Sequence, residues 1–487
     1  MTESKLLQLI FTLKEEELNR LELFLASKFL NLETQPKKTN QLFQHIKKTL
    51  LEKEKGDWDQ YLSRERVFPM LFPGEPFLSR KLEKIMSKLF QVIKSFVVLE
   101  FSGIRDNEIY QLLTLSRFYR ERGLYQQFDL NMKKLKRLQQ QTIQHDEDYF
   151  KYQYEIEKEI GEKESFYNNR KSDVNLTRML DDLELWQLIQ KLKLMNQIYL
   201  QKIHTNITLS TPTIQPEDID RLLAERPEWD FPILKIHYHA FKLLYAYPDD
   251  NIEALEKLRT LLRKNECNLP SSEVYQFQSL IRTFTIKKHN EGNQSYLPLA
   301  FKIYKEHLQA GYLYPENQIH KASFINIVIL GLKLNEVTWV AQFIQQYTDR
   351  IIGAKNPQAI VAFTLGLLHF TNKEYDKALD LVHFDYEDIS LKIATKRLEI
   401  KIYYEQDSSL LEHRLDAFKV YIFRLGKKHL TPREKLANNN FIDVIRQIIH
   451  NKTLLNTERI NKISKKTEQV ELLADREWLS EQVRQLK

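Results

Sequence analysis

A basic segment near the C-terminus contains the side chains best suited to bind a ligand. From Gly426 to Lys466 the chain has ten basic residues and three acidic ones, a difference equal to the net charge of +7 of the whole chain. Clustered Lys and Arg side chains can neutralise phosphate backbones or acidic protein surfaces. The residues that could form such a patch are Lys427, Lys428, Arg433, Lys435, Lys462, Lys465 and Lys466.

Part of this basic cluster has a second explanation in helix chemistry. Lys427 and Lys428 follow Gly426 at the end of a predicted helix, where cations complement the negative end of the helix dipole. Phe441 is the only aromatic residue in the segment, so base stacking on single strands is not favoured. The segment therefore predicts either helix capping or a binding patch for a polyanion.

The motifs of common enzyme and cofactor sites are missing from the sequence. There is no glycine-rich phosphate loop, no nucleophile elbow and no His-Glu-x-x-His zinc motif. His237 and His239 lie about 200° apart on a helix and cannot share a metal ion. We expect no catalytic, cofactor or metal site, and an enzyme of unrecognised type is the least favoured class of function.

Composition favours helices and a reducing compartment. Glycine (11 residues) and proline (14 residues) are scarce, and apolar residues recur with a period near 3.6 over long windows. The single cysteine, Cys267, cannot form an intrachain disulfide, which favours the cytoplasm. The longest apolar runs, near 324–332 and 359–370, are shorter than the ~20 residues of a membrane helix. We predict an all-α chain with no membrane association.

Changes in composition and apolar pattern along the chain divide it into five segments. Prolines concentrate between Thr205 and Pro232, and proline disfavours helix at its own position and before it. We predict an N-terminal helical domain at 1–104, helical hairpins and two long helices at 105–204, a Pro-rich boundary at 205–232, a helical array at 233–450, and a charged C-terminal cap at 451–487.

The helical array is clearest at Pro357–Glu387, where the pattern of apolar residues predicts a helix hairpin. Its first arm is apolar on nearly every side, so it must be covered by neighbouring hairpins. The same pattern predicts hairpins from Phe231–Tyr247 with Ile252–Lys264, Ser272–His289 with Tyr296–Gln309, Gln318–Leu332 with Val337–Tyr347, and Asp388–Glu405 with Leu410–Leu425. A further arm is predicted at Pro432–His450.

Residues of this hairpin resemble a tetratricopeptide repeat. Leu365 and Gly366 match the motif in the first helix, and Tyr375 and Ala378 match it in the second, whereas Lys373 stands at the turn glycine. The resemblance implies a right-handed α-solenoid of helix hairpins.

The N-terminal region has a resemblance of its own. The stretch Leu21–Asn31 followed by the loop Phe72–Phe77 is similar to a group of uncharacterised bacterial helical proteins, and this likeness implies no activity.

These observations lead to two expectations about function. The first is a non-catalytic protein–protein interaction scaffold that binds a protein or peptide on the surface of a helical-repeat solenoid. The alternative is a nucleic-acid-binding helical repeat that uses the basic C-terminal patch.

Overall fold

The structure is a computed structural model of the chain. The structure describes residues 3–27, 36–104, 106–166, 175–205, 214–249, 251–313, 318–384, 386, 388–425, 430–454 and 457–486. The regular secondary structure of the described part is helical apart from two short strands, β1 (Ile319–His320) and β2 (Ile351–Ile352), which pair in parallel. The prediction of an all-α chain is confirmed.

The chain forms two compact units, Met1–Lys191 and Leu192–Lys487, and the boundary lies inside a long helix. The predicted proline-rich boundary at 205–232 begins C-terminal to this division between Lys191 and Leu192. Residues 206–213 of that segment are outside the described residues, and a helix follows at Pro216–Glu225.

The first unit is built around one long helix, α6, that packs against α1, α2, α3 and α5. The helices of this unit are α1 (Lys5–Ile10), α2 (Glu15–Ala26), α3 (Pro36–Glu52), α4 (Trp58–Tyr61), α5 (Arg64–Leu71), α6 (Ser79–Phe101), α7 (Glu108–Glu121), α8 (Tyr125–Gln141), α9 (Glu147–Phe166) and the first half of α10 (Leu176–Thr205). Leu82, Leu89 and Ile93 of α6 are fully buried, as their helical spacing predicts. The α7–α8 hairpin turns at Gly123, which has a φ of +67° that glycine adopts without steric cost.

The second unit is a succession of helix pairs. Its helices after α10 are α11 (Pro216–Glu225), α12 (Pro232–Tyr245), α13 (Ile252–Asn265), α14 (Ser271–Asn290), α15 (Tyr296–Gln309), α16 (Lys321–Lys333), α17 (Val337–Tyr347), α18 (Pro357–Thr371), α19 (Tyr375–Val382), α20 (Ile389–Glu405), α21 (Leu411–Arg424), α22 (Pro432–Leu454), α23 (Thr457–Gln469) and α24 (Arg476–Gln485). Each predicted hairpin of the array is present as two packed helices, and the bounds agree within a few residues.

Side chains define the starts of several of these helices. Asn251 accepts a hydrogen bond from the backbone N–H of Ala254 at 3.1 Å and caps α13. Asp388 accepts from the N–H of Ser390 at 2.9 Å and caps α20. Asn356 does the same for α18, at 3.1 Å from the N–H of Gln358.

Four hairpins of the second unit use the same turn. The second residue after the first arm adopts a left-handed backbone conformation, and the N–H of the residue that follows it donates to a carbonyl five residues back, as in a Schellman motif. The left-handed residues are Gly292 (φ +100°), Asn335 (φ +60°), Lys373 (φ +61°) and Asp407 (φ +48°). Only one of the four is glycine, which is why the sequence pattern alone did not reveal a common turn.

The C-terminal helix α24 docks on the array through both apolar and charged groups. Leu479 and Val483 are buried. Trp478 Nε1 donates to a carboxylate oxygen of Glu405 on α20 at 3.0 Å. Asp475 lies 2.7 Å from Arg397 Nε and 3.1 Å from Lys401 Nζ, so two cations of α20 face one carboxylate just before α24.

Candidate functional site at the C-terminal helices

The described members of the predicted basic set lie on α22 and α23 and have different surroundings. Lys427 and Lys428 are outside the described residues. Arg433 forms an exposed ion pair with Glu471, with 3.2 Å between Nη2 and Oε1. Such exposed pairs contribute little to stability, about 0 to 1 kcal/mol. Arg433 therefore has a local acidic partner, which holds it only weakly.

Lys435 lies in a groove between α21 and α22. Its Nζ atom is 5.4 Å from the centre of the Phe423 ring and 3.5 Å from the Phe423 carbonyl oxygen, at the end of α21. An ammonium group in this position interacts with the ring face and with the negative end of the helix dipole. Lys435 therefore partly fulfils the helix-capping role that the sequence predicts for Lys427 and Lys428.

Lys462 lines a second concavity, a cleft between α22 and α23. The cleft has a volume of about 400 Å³. Its lining residues are Arg446, Gln447, His450, Asn451, Arg459, Lys462 and Ile463. Arg446 also forms an ion pair with Asp416 of α21. The lining contains three cationic side chains and no carboxylate, so the cleft favours negatively charged groups.

Lys465 and Lys466 lie further along α23. Among the described residues neither forms an ion pair, and Lys462 also has none. Residues 459, 462 and 466 share one face of α23 by helical spacing, while Ile460, Ile463 and Thr467 form its buried face. The structure thus places Lys462 in the cleft and Lys435 in the separate groove, and Lys466 is one turn beyond Lys462 on the same face of α23.

The groove between α21 and α22 was not predicted from the sequence. Phe423 is 77% exposed, Leu436 of α22 is 50% exposed and Val420 is 45% exposed. The groove has a volume of about 400 Å³. Its lining residues are Lys419, Val420, Phe423, Lys435, Asn439, Ile442 and Asp443.

The sequence does contain a signal for this groove. The buried residues of α21 are Leu411, Leu415, Phe418 and Ile422, which form one stripe at helical spacing. Val420 and Phe423 lie outside that stripe by roughly 100° or more. Large apolar residues outside the buried stripe of an amphipathic helix indicate a second contact surface.

Buried ionisable groups elsewhere in the second unit join helices together. Glu273 of α14 accepts a hydrogen bond from Lys193 of α10 at 2.7 Å, and its other oxygen lies 3.4 Å from Nε2 of His237 on α12. Burial alone raises the pKa of Glu273, but His237 and Lys193 outweigh it and lower the pKa to about 2. Glu273 is therefore an ionised carboxylate at the centre of a packed helix junction.

His307 of α15 is a second buried group of this kind. Burial, with added repulsion from Arg282 and Arg259, lowers the pKa of His307 to about 3. The neutral ring lies 2.9 Å from Arg282 Nη1 through its Nδ1 atom. This contact joins α14 to α15.

His237 and His239, which were considered above as metal ligands, lie in surroundings that do not form a metal site. The backbone carbonyl of His237 accepts a hydrogen bond from Asn196 Nδ2 at 3.0 Å, and burial lowers the pKa of His239 to about 4. In the described part of the chain, no group of three or more His, Cys, Asp and Glu side chains is placed to hold a metal ion.

No protein-family model, no curated protein and no solved structure matches the chain. The fold itself defines the class: this is an all-helical protein with many packed helix pairs, compatible with helical repeats. Within the described residues, no helix has both the length and the apolar character needed to cross a membrane.

Proposed function

We propose that the chain is a non-catalytic protein–protein interaction scaffold and that its partner docks in the groove between α21 and α22. The observation that carries this proposal is the exposure of Phe423, 77%, at a concave surface. A few buried side chains supply most of the binding free energy at protein interfaces, and aromatic residues, including Phe, are enriched there. Exposed apolar groups beside a groove are typical of such sites.

The architecture that we propose for the array supports the same function. Consecutive tetratricopeptide-like hairpins arranged as a right-handed solenoid would present an extended surface to a protein or peptide. The single cysteine favours a reducing compartment, and we propose the cytoplasm as the place of binding.

The test compares the wild-type chain with two serine variants. Phe423→Ser removes the proposed anchor, and Leu194→Ser removes another apolar side chain of the second unit that is 57% exposed. Proteins that co-purify from the native host are identified, and the affinity of each purified partner is then measured by calorimetry. We expect Phe423→Ser to weaken binding about 30-fold or more, as for an interface hot spot, and Leu194→Ser to leave it unchanged. Equal affinities for all three chains would overturn the proposal.

Nucleic-acid binding is a second candidate function, and the α22–α23 cleft favours it. Arg446, Arg459 and Lys462 line the cleft without a carboxylate, and Lys465 and Lys466 extend the positive charge along α23. Phosphate groups of a nucleic-acid backbone would bind to these cations by charge, without base recognition.

Salt dependence tests this second candidate. Binding to a duplex and to a single strand is measured by fluorescence anisotropy over a range of salt concentrations for the wild type, for Lys462→Glu with Lys466→Glu, and for the control Lys355→Glu. We expect the double variant to bind more weakly and with a shallower dependence on salt, by about one unit of slope for each lost phosphate contact. Affinity that is insensitive to salt, or unchanged in the double variant, would exclude the cleft as a nucleic-acid site.

A further inference from the structure

We infer that the groove between α21 and α22 binds an amphipathic helix that carries acidic residues beside its apolar face. This inference rests on the proposed function and names the chemistry of the partner. Three features of the groove lead to it: its apolar lining, the direction of its walls and the position of its unpaired cations.

The apolar part of the groove lies between two helices that run antiparallel. Lys435 near the start of α22 lies beside Phe423 at the end of α21, and Arg446 further along α22 pairs with Asp416 earlier in α21. A concave strip between two helix walls accepts a third helix, whose apolar residues at positions i, i+3, i+4 and i+7 face the strip. Val420 and Phe423 provide the exposed apolar contact surface for them, and the buried side chain of Ile442 completes the lining.

Unpaired lysines lie on both walls of the groove. Lys419 belongs to α21 and Lys435 to α22, and neither forms an ion pair with any described residue. The described acceptor of Lys435 is a backbone carbonyl and not a carboxylate. Carboxylates of a docked helix would pair with both ammonium groups, whereas a basic helix would place like charges together, which is costly in an interface.

The positions of Lys435 and Asp443 in the lining predict which end of the partner helix carries acidic residues. Asp443 is eight residues after Lys435 on α22, which corresponds to about 12 Å along the helix. Acidic residues are therefore expected at the end of the partner helix that lies over Lys435. Lys419 lies between the Phe423–Lys435 and Asp416–Arg446 contacts and is level with the Asp443 end of the groove, so a partner residue there faces charges of both signs.

The experiment uses the full chain and a displayed library of helical peptides. Leucine is fixed along one face of each peptide, and the flanking positions are randomised among Asp, Glu, Lys, Arg, Ser and Gln. Peptides are selected for binding to the wild type, to Phe423→Ser, and to the double variant Lys419→Glu with Lys435→Glu. All of the substituted side chains are at the surface, so circular dichroism and thermal melting of the variants are expected to match the wild type.

We expect the wild type to select peptides rich in Asp and Glu at one end of the apolar face. Their affinity should fall about tenfold or more in the Lys419→Glu, Lys435→Glu variant, and Lys-rich peptides should be selected in their place. Higher salt should weaken the acidic peptides. Phe423→Ser should lose all of them.

The contrary outcomes separate this inference from the proposed function. Selection of peptides that depend on Phe423 but show no preference for acids, or affinity unchanged by the double charge reversal, would overturn the inference and leave the scaffold proposal in place. The absence of any peptide that depends on Phe423 would count against both. Self-association of the chain that is lost in Phe423→Ser would identify a second copy as the occupant and overturn the acidic-helix inference.

Discussion

Glu273 is the centre of an ion-pair junction that joins α10, α12 and α14. Its side chain is buried, Lys193 donates a hydrogen bond to one oxygen and His237 lies near the other. A buried carboxylate is costly unless cations and hydrogen bonds compensate for its lost hydration. Lys193 and Glu273 are 80 residues apart in the chain, so their contact was not predictable from local sequence patterns. By contrast, the Asn251 cap was predictable because its partner is three residues away.

The lowered pKa of Glu273 predicts a pH dependence of stability. Lowering from 4.5 to about 2 corresponds to about 3 kcal/mol, which is present above pH 4.5 and is lost as the pH falls toward 2. We therefore expect Glu273→Gln to lower the free energy of unfolding by about 3 kcal/mol at pH 7 and by progressively less at acidic pH. Denaturant titrations across this pH range measure both curves. The control Glu481→Gln removes an exposed carboxylate with little effect, and parallel curves for wild type and Glu273→Gln would contradict this account.

At the scale of elements, the helix hairpin was the most predictable feature of the chain. Apolar periodicity located the arms of the array because each helix must bury one face against its neighbours. The turns were less predictable, since residues other than glycine take the left-handed conformation in three of the four common turns. Lys373 is the clearest example, because the resemblance to a tetratricopeptide repeat predicts glycine there.

Replacing Lys373 with glycine should stabilise the α18–α19 hairpin. A left-handed conformation costs a residue with a Cβ atom about 1 kcal/mol, and glycine avoids this cost. We expect Lys373→Gly to raise the free energy of unfolding by about 0.5 to 1 kcal/mol in denaturant titrations. Asp380→Gly, within the exposed face of α19, should lower it by about 1 kcal/mol. A lower free energy of unfolding for Lys373→Gly than for the wild type would show that the left-handed backbone at Lys373 carries no strain.

Two helical glycines should respond differently to alanine. A Cβ atom on Gly331 of α16 would lie 2.4 Å from Val340 Cγ2 and 3.1 Å from the Phe301 ring, whereas one on Gly366 of α18 would have only ordinary contacts, the nearest at 3.5 Å. We expect Gly331→Ala to lower the melting temperature, at a cost of about 1 to 3 kcal/mol. Gly366→Ala should be neutral or stabilising because alanine favours helix. Equal melting temperatures for both variants would contradict the packing described for α16 and α17.

At the scale of the whole molecule, the sequence indicated where positive charge accumulates, but not which groove or cleft each cationic side chain lines. Arg433 is paired with Glu471, Lys435 lines the α21–α22 groove, and Lys462 lines the α22–α23 cleft. Charge counting treats these residues alike because it contains no information on which face of which helix each one occupies. The apolar groove was missed for a related reason: Val420 and Phe423 lie outside the buried stripe of α21, but this pattern does not show whether α22 covers them.

The most direct test of the scaffold proposal is site-specific photo-crosslinking in the native host. A photoreactive phenylalanine analogue is placed at position 423 and, in a second strain, at position 194, which is also exposed and apolar. We predict a discrete crosslinked protein at position 423, none at position 194, and loss of the product when Val420→Glu is added beside Phe423. The absence of a product at position 423, or the same products at both positions, would contradict the claim that this groove is where the protein binds its partner.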